Sequence, residues 1–247
     1  MLISIIIATF NADKTLEKCL NSIISQITEE CELIIIDGNS KDKTNEIIKS
    51  YKESVAYYIS EPDKGIYDAW NKGINAAKGK WIAFIGADDI LLPNALQKYL
   101  SFIKKTPNID SYDYICAQNE YVDNKGKLLM ILGNQPEWKF MRKKMVAAHV
   151  ASLHNKQNLF EINGGYDLSY KICADYELLV RKKNKLKYLF IPTHIARMQA
   201  GGMSLSTKAV IETYKIRQKH NTLPSLLNRF YFIKDWMLYK LFILRKI

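Results

Sequence analysis

Two adjacent carboxylates, Asp88 and Asp89, follow the apolar run 80–85 after Gly86-Ala87. Side by side at the end of a buried strand they repel each other unless a cation or several donors compensate. A hard divalent ion such as Mg2+ or Mn2+ takes oxygen ligands and commonly bridges a carboxylate to substrate phosphates. The competing reading is a pair that caps the next helix through its dipole. Three other apolar runs also close on polar residues. They are Thr9-Phe10-Asn11 after 2–8, Asp37-Gly38-Asn39-Ser40 after 32–36, and Glu61-Pro62-Asp63 after 55–59. Segment 61–73 adds Asp68, Asn71 and Lys72 to a helix whose Tyr67, Trp70 and Ile74 recur at core spacing; Gly73 inside that helix costs stability and needs a reason. Further on, Gly164-Gly165-Tyr166-Asp167 precedes Ala174-Asp175-Tyr176-Glu177. An Asp at a helix start reads as a cap, and Asp175 and Glu177, two apart, point in different directions.

These groups need a frame, and the pattern supplies one. The run 2–8 is continuous and β-branched, as in strands buried on both faces, and 32–36, 55–59 and 80–85 follow it. Between them, 13–26, 42–51 and 65–77 carry helical spacing, and 93–104 follows the fourth run with Pro93 near its start. Strand–helix alternation predicts an α/β chain, a mostly parallel central sheet with helices on both faces. In such sheets the ligand crevice lies outside the carboxyl ends of the strands, where the four polar clusters fall. The second half is less regular. A hairpin is expected over 112–122 and 127–132, short helical pieces after it, a helix near 174–183, a strand at 187–191, and two helices from 207 onward broken at 221–224.

With 247 residues, 48% hydrophobic and 25% charged, the chain is neither disordered nor a disulfide-stapled miniprotein. Its net charge of +11 raises nucleic acid, an anionic membrane and a phosphorylated small molecule as partners. Cys19, Cys31, Cys116 and Cys173 form no CxxC pair, against a metal knuckle or redox motif. No basic leader precedes the first apolar run and no apolar stretch nears the ~20 residues of a membrane span, so a cytoplasmic location is expected.

The opening SIIIATFN, then ELIIIDGNSKDKT, EPDKGIYDAWNKGI, GKWIAFIGADD and finally GGYD with ADYELL stand in the order and spacing of a known family. The chain resembles the inverting family 2 glycosyltransferases of GT-A fold, to about Ser204. The resemblance implies a GT-A-like catalytic domain over 1–204, with a nucleotide-sugar-binding half (1–110) and an acceptor-binding half (111–204). It implies that Thr9, Asn11 and Asp37 line the nucleotide pocket, that Asp63 contacts the base, and that Asn71 and Lys72 lie near the donor. Asp88 matches the last Asp of the family's DxD motif, with Mg2+ or Mn2+ on Asp88 and Asp89. Asp175 matches the catalytic base, flanked on the acceptor side by Tyr176 and Glu177. Gly86 stands where many members carry the first Asp of that motif. The histidines read first as hydrogen-bonded structural side chains; His149 or His154 could instead orient a phosphate or an acceptor hydroxyl, and His149 is the best candidate of the three. His194, with Gly201-Gly202-Met203-Ser204, is a candidate to close over the diphosphate. The implied partners are a nucleotide-sugar donor, expected to be a UDP-sugar, and a glycan or lipid-linked acceptor of bacterial surface-polysaccharide assembly.

Residues 205–247 read as a basic aromatic helical tail, with nine Lys or Arg against two acids. Leu226, Phe230, Ile233, Met237, Leu241 and Leu244 form an apolar stripe amid basic residues and Phe232, Trp236, Tyr239 and Phe242. Residues 222–247 are expected to lie on an anionic membrane surface; the alternatives are docking on the domain or pairing in a homodimer. A nucleic-acid-binding protein would explain the charge but not the acidic strand ends, which repel phosphates. A sugar-nucleotide-binding protein without transfer activity is the other rival. A pyrophosphorylase would want a Gly-rich loop after the first strand, and Thr9-Phe10-Asn11-Ala12 is not one.

Overall fold

The first, second and fourth apolar runs become strands because almost every residue in them is covered on both faces, while the third forms a partly exposed edge strand. The computed structural model describes residues 1–150, 152–202 and 206–244, with side chains to 241. In it β1 (Ile3–Thr9) pairs in parallel with β2 (Cys31–Asp37) and β4 (Trp81–Gly86), and β2 pairs in parallel with β3 (Tyr57–Ser60). Along β1 the side chains alternate between two cores. Ile3, Ile5 and Ile7 meet α1 (Leu16–Ile24) and α4 (Ala95–Lys105) through Leu16, Leu20, Leu96 and Tyr99. Ile6 points the other way, into a core with Tyr67, Trp70 and Ile74 of α3 (Ile66–Ala76). Helix α2 (Thr44–Ser50) adds Ile48 to the first core.

Beyond β4 the sheet turns mixed. Strands β5 (Ile90–Leu91), β6 (Tyr114–Val122), β7 (Leu128–Leu132), β8 (Ser152–Asn155) and β9 (Tyr188–Gln199) complete it. Among the described residues the order is β3-β2-β1-β4-β8-β6-β9-β5, with β7 on β6. β8 runs antiparallel between β4 and β6, while β9 is parallel to β6. The sequence pattern missed β8. It is short and polar, and its Ser152 and His154 find partners inside at Ala148 O (2.6 Å) and Ile82 O (3.3 Å). β9 extends eight residues past the expected 191, because its ladder with β6 is interrupted around Pro192 and resumes at His194. The short α5 (Trp138–Met141) buries Met141 in the second core.

That core also takes Leu178 and Leu179 of α6 (Ala174–Val180) and Ile216 of α7 (Thr207–Lys219). Residues 207–219 are therefore part of the packed body, although the sequence assigns them to a tail. The completely buried Arg217 donates to Lys143 O (2.7 Å), and to Asn228 Oδ1 (2.7 Å) and Asp235 Oδ2 (3.1 Å) of α8 (Ser225–Leu244). This pins the last helix at its inner side.

Gly73 has a packing reason. A Cβ there would lie 2.5 Å from Ile6 Cγ2, so α3 rests on β1 at a distance only glycine permits. Gly73→Val should cost about 2 kcal/mol or more, overpacking outweighing the helix propensity gained; urea denaturation measures it, and unchanged stability would show the contact to be soft.

Candidate active site

The register levels the strand ends. Thr9 is opposite Asp37, Ala8 opposite Gly86, and Asp37 opposite Ser60. Asp37 is fully buried, its carboxylate accepting from Ser40 N (2.9 Å), Ser40 Oγ (2.5 Å) and Ser60 Oγ (2.5 Å). Ser40 Oγ accepts in turn from Asn11 N (2.8 Å), and Asn11 Oδ1 from Lys41 N (2.9 Å). Asp37 thus acts from beneath, as the anchor that ties the loops after β1 and β2 together. Thr9 is buried with its hydroxyl lacking a partner among the described residues. Above it a groove of about 580 Å3 is lined by Phe10, Asn11, Lys14, Thr15, Ala87 and Asp88. Asp63 and Phe10 close over Gly38 at its side, and Asp63 Oδ1 holds Gly65 N at 2.8 Å, at the head of α3.

The structure separates the carboxylate pair. Asp88 is exposed at the groove, whereas Asp89 is buried and turned back to accept from Gly86 N (3.0 Å). Burial, then repulsion from Asp88, pushes the Asp89 carboxyl up to about 8. Asp89 therefore serves the turn rather than the groove, a correction to its expected place as a second metal ligand. The same turn explains Gly86. A Cβ at that position would lie 2.8 Å from Asp89 Oδ2 and 2.9 Å from Asp88 Oδ1. Among the described residues no three His, Cys, Asp or Glu side chains gather as a metal cage. One exposed carboxylate still suits Mg2+ or Mn2+, because such ions take one or two carboxylates and complete their shell with substrate phosphates and water.

Helix α3 joins this edge to the second half. Asn71 pairs with the backbone of Tyr166, accepting from its N–H (2.8 Å) and donating to its C=O (3.0 Å). Its amide is thereby committed to the chain rather than to a donor. Lys72 is held by Glu61 (2.9 Å) and Pro62 O (3.0 Å). The Tyr67 hydroxyl lies 2.6 Å from Ile172 O and 3.1 Å from Asp175 Oδ1. Asp175, at the start of α6, is thus brought to the first turn of α3, near the strand ends. Desolvation pushes its carboxyl up to about 6 against the pull of the Tyr176 amide and the Tyr67 hydroxyl.

Its expected neighbours lie elsewhere. Tyr176 is buried and donates to Met141 O (2.7 Å). Glu177 is 1% exposed, bound by Arg181 (2.5 and 2.8 Å) and by His220 (2.7 Å), with Lys219 at 3.5 Å. Burial raises its carboxyl, but those hydrogen bonds and charges win and hold it down at about 2. One and two positions along a helix turn a side chain by about 100° and 200°, so these residues face the body when Asp175 faces the edge. His149 stacks on Trp70 (4.7 Å, 6°) and meets the Tyr166 hydroxyl at 3.0 Å. Burial holds it neutral, well below the ordinary histidine range. It is a half-buried member of the aromatic cluster, and His154 beside it is buried and pushed down to about 3. His194 lies 3.5 Å from Glu120, which Arg197 also binds (2.8 and 2.9 Å). Met203 and Ser204, proposed to act with His194, lie outside the described residues.

Two residues escaped sequence reasoning. Phe10 is 63% exposed at the groove; an aromatic ending a buried strand was its only signal. Glu212 of α7 accepts from Lys171, Ile172 and Cys173 N–H (2.8, 2.9 and 2.9 Å), the backbone leading into Asp175. Nothing local to residue 212 announces that.

The family model for glycosyl transferase family 2 matches residues 4–163. A PGL/p-HBAD biosynthesis glycosyltransferase of Mycobacterium bovis BCG is 30% identical over 184 residues, covering 72% of this chain and 68% of that protein. An uncharacterized glycosyltransferase of Rickettsia typhi is 28% identical over 186 residues, covering 72% of this chain and 57% of its own length. The chain therefore spans little more than half of that relative. Among solved structures, S. aureus TarS 1-349 in complex with UDP superposes with a TM-score of 0.69 at 15% identity, over 94% of this chain and 70% of that one. The mannosyltransferase of Pyrobaculum calidifontis, in complex with GDP-Man and Mn2+, gives 0.65 at 15% identity, over 90% and 65%. These likenesses carry the fold, the GT-A type implied by the sequence motifs.

Gly86→Asp, which would complete the paired-carboxylate motif, should destabilise by about 1–3 kcal/mol by forcing a crowded turn apart and adding a third acid. Urea denaturation is the measurement; a variant as stable as the parent would count against the crowding.

Proposed function

The chain belongs to glycosyl transferase family 2, and from that membership we propose that it moves a hexosyl or N-acetylhexosaminyl group from a nucleotide-sugar, a UDP-sugar, to an acceptor hydroxyl with inversion. The reading rests above all on Asp175, a carboxyl of raised basicity held by Tyr67 at the strand-end edge. An acceptor hydroxyl is a poor nucleophile at neutral pH, and a carboxylate within reach takes its proton during attack. The hydroxyl oxygen bonds to the anomeric carbon as the bond to the diphosphate breaks, and the electron pair leaves with the diphosphate. Attack from the face opposite the leaving group inverts the centre in one step. Asp88 is the residue that would hold Mg2+ or Mn2+, whose chemistry when bound is to neutralise charge on the departing diphosphate. Phe10, exposed beside Asp63, offers a face on which a nucleobase can stack. Asn11 and Lys14 line the same groove as donor contacts.

The acceptor we assign is lipid-linked, as in bacterial surface-polysaccharide assembly, and α8 supports this. Leu226 and Phe230 are 81% and 60% exposed, and Ile233, Met237 and Leu241 continue the uncovered stripe. Arg229, Lys234 and Lys240 stand along the same helix, with Lys240 Nζ 5.3 Å from the Trp236 ring centre. Among the described residues no helix is long and apolar enough to cross a membrane. An apolar stripe with flanking cations fits an anionic lipid surface. Self-pairing along that stripe would bring like charges together. Arg217 anchors the inner side of the helix, so the stripe stays outward instead of docking on the body.

Asp175→Asn should retain donor binding and lower transfer by ~10²–10⁴-fold. In the parent, turnover should rise with pH through about 6, because only the unprotonated carboxylate accepts the proton. Near-normal transfer by the variant, measured with a panel of nucleotide sugars and Mn2+, would sink the assignment. For α8, Phe230→Gln with Met237→Gln should abolish binding to phosphatidylglycerol vesicles while leaving the fold intact. A variant that still binds, or a parent that dimerises and ignores vesicles, would reject the lipid reading.

A further inference from the structure

A base is useful only if its loop is held still, and the segment before Asp175 has unusual support. Lys171, Ile172 and Cys173 turn three successive backbone N–H groups onto one carboxylate, that of Glu212 on α7. Oε1 accepts from Lys171 and Oε2 from Ile172 and Cys173, so the acid saturates a turn that has no ladder partner of its own. The same three residues are gripped from the other side. Tyr67 donates toward Ile172 O, and Lys171 Nζ reaches Lys64 O at 3.0 Å. Cys173 rests on α7, its Sγ 3.6 Å from Ala209 O. The entry to α6 is therefore clamped between α3 and α7, and Asp175 follows two residues after the last clamped amide.

We propose that Glu212 is the positioning residue of the reaction: it fixes the 171–173 turn and thereby the place and orientation of the Asp175 carboxylate. This rests on Asp175 as base. Glu212 touches neither donor nor acceptor; it acts through the backbone. A misplacement of about 1 Å in a reacting group costs on the order of 10²-fold in rate. Glu212 has a second influence. The titratable groups facing Asp175 are Tyr67 of α3, Tyr114 of β6, Tyr166, Cys173 and Glu212. Of these Glu212 is the charged acid, and its repulsion adds to the raised basicity of Asp175.

Glu212→Gln tests both consequences. Its amide NH2 would face donors where an oxygen now accepts. We expect kcat to fall by ~10–100-fold, with the donor KM within about twofold. The acid limb of the pH profile should move to lower pH, since removing a negative neighbour lowers the carboxyl's affinity for a proton. Amide exchange at 171–173 should quicken. Glu212→Asp, which keeps the charge but falls one methylene short, should lower kcat while leaving the acid limb in place, and it serves if the Gln variant does not fold. Lys215→Ala, exposed on the same helix, should change nothing. Parental kcat and an unmoved limb in Glu212→Gln would overturn the proposal, as would a loss confined to donor KM. If Asp175→Asn retains turnover, the base assignment fails instead, and the exchange rates at 171–173 still report whether Glu212 holds the turn.

Discussion

Helix α3 lies against β1 at Gly73, closer than any side chain would allow, and the rest of the site depends on that approach. A helix held so close presents fixed positions along its outer face. Tyr67 reaches Ile172 and Asp175, Trp70 stacks under His149, and Asn71 grips Tyr166 at both its backbone groups. The three contacts are one to four residues apart on one rigid element, so they set the second half of the chain against the first with little slack. The aromatic cluster of Trp70, Phe84, His149 and Tyr166 fills the space between. Close packing of this kind leaves side chains few alternatives and transmits displacements instead of absorbing them.

Acidic groups meet four different fates within this frame. Asp37 is buried and surrounded by hydroxyl and amide donors, so it organises loops. Glu177 is buried among cations and is held ionised, tying α6 to α7. Asp89 is buried beside another carboxylate, and the Gly86 and Gln199 backbone donors do not offset that burial and repulsion, so its proton affinity rises. Asp175 stands between these extremes: burial raises it and a tyrosine hydroxyl tempers it, leaving a carboxyl that is ionised near neutrality yet holds a proton more tightly than a free aspartate. The residue type is the same or nearly so in each case. Donors and charges brought from elsewhere in the chain separate them.

The C-terminal helices belong to this economy. Through Glu212 and Lys219, and His220 just past its end, α7 supplies partners to the segment around Asp175, while Arg217 fastens α8 to the same body. The basic charge that stands out in the sequence is thus divided. Some of it is spent inward on buried carboxylates, and some is left along the uncovered face of α8. The acidic groups of the strand ends stay apart from both.

Much of this was legible in the residues themselves. Four β-branched runs, each closed by polar residues, determined a parallel sheet and put Thr9, Asp37, Asp63 and Asp88 at one edge, because a strand's length and the position of its last apolar residue are local facts. The order of the motifs determined the family. The tertiary structure alone decided which polar groups face outward. Asp89 turns in where Asp88 turns out, Glu177 and Tyr176 join the core, Asn71 binds backbone, and Glu212, 37 positions after Asp175, holds the turn before it. The physical reason is that burial and charge pairing are properties of a side chain's neighbours, and in this chain those neighbours come from helices and loops that sequence spacing does not connect.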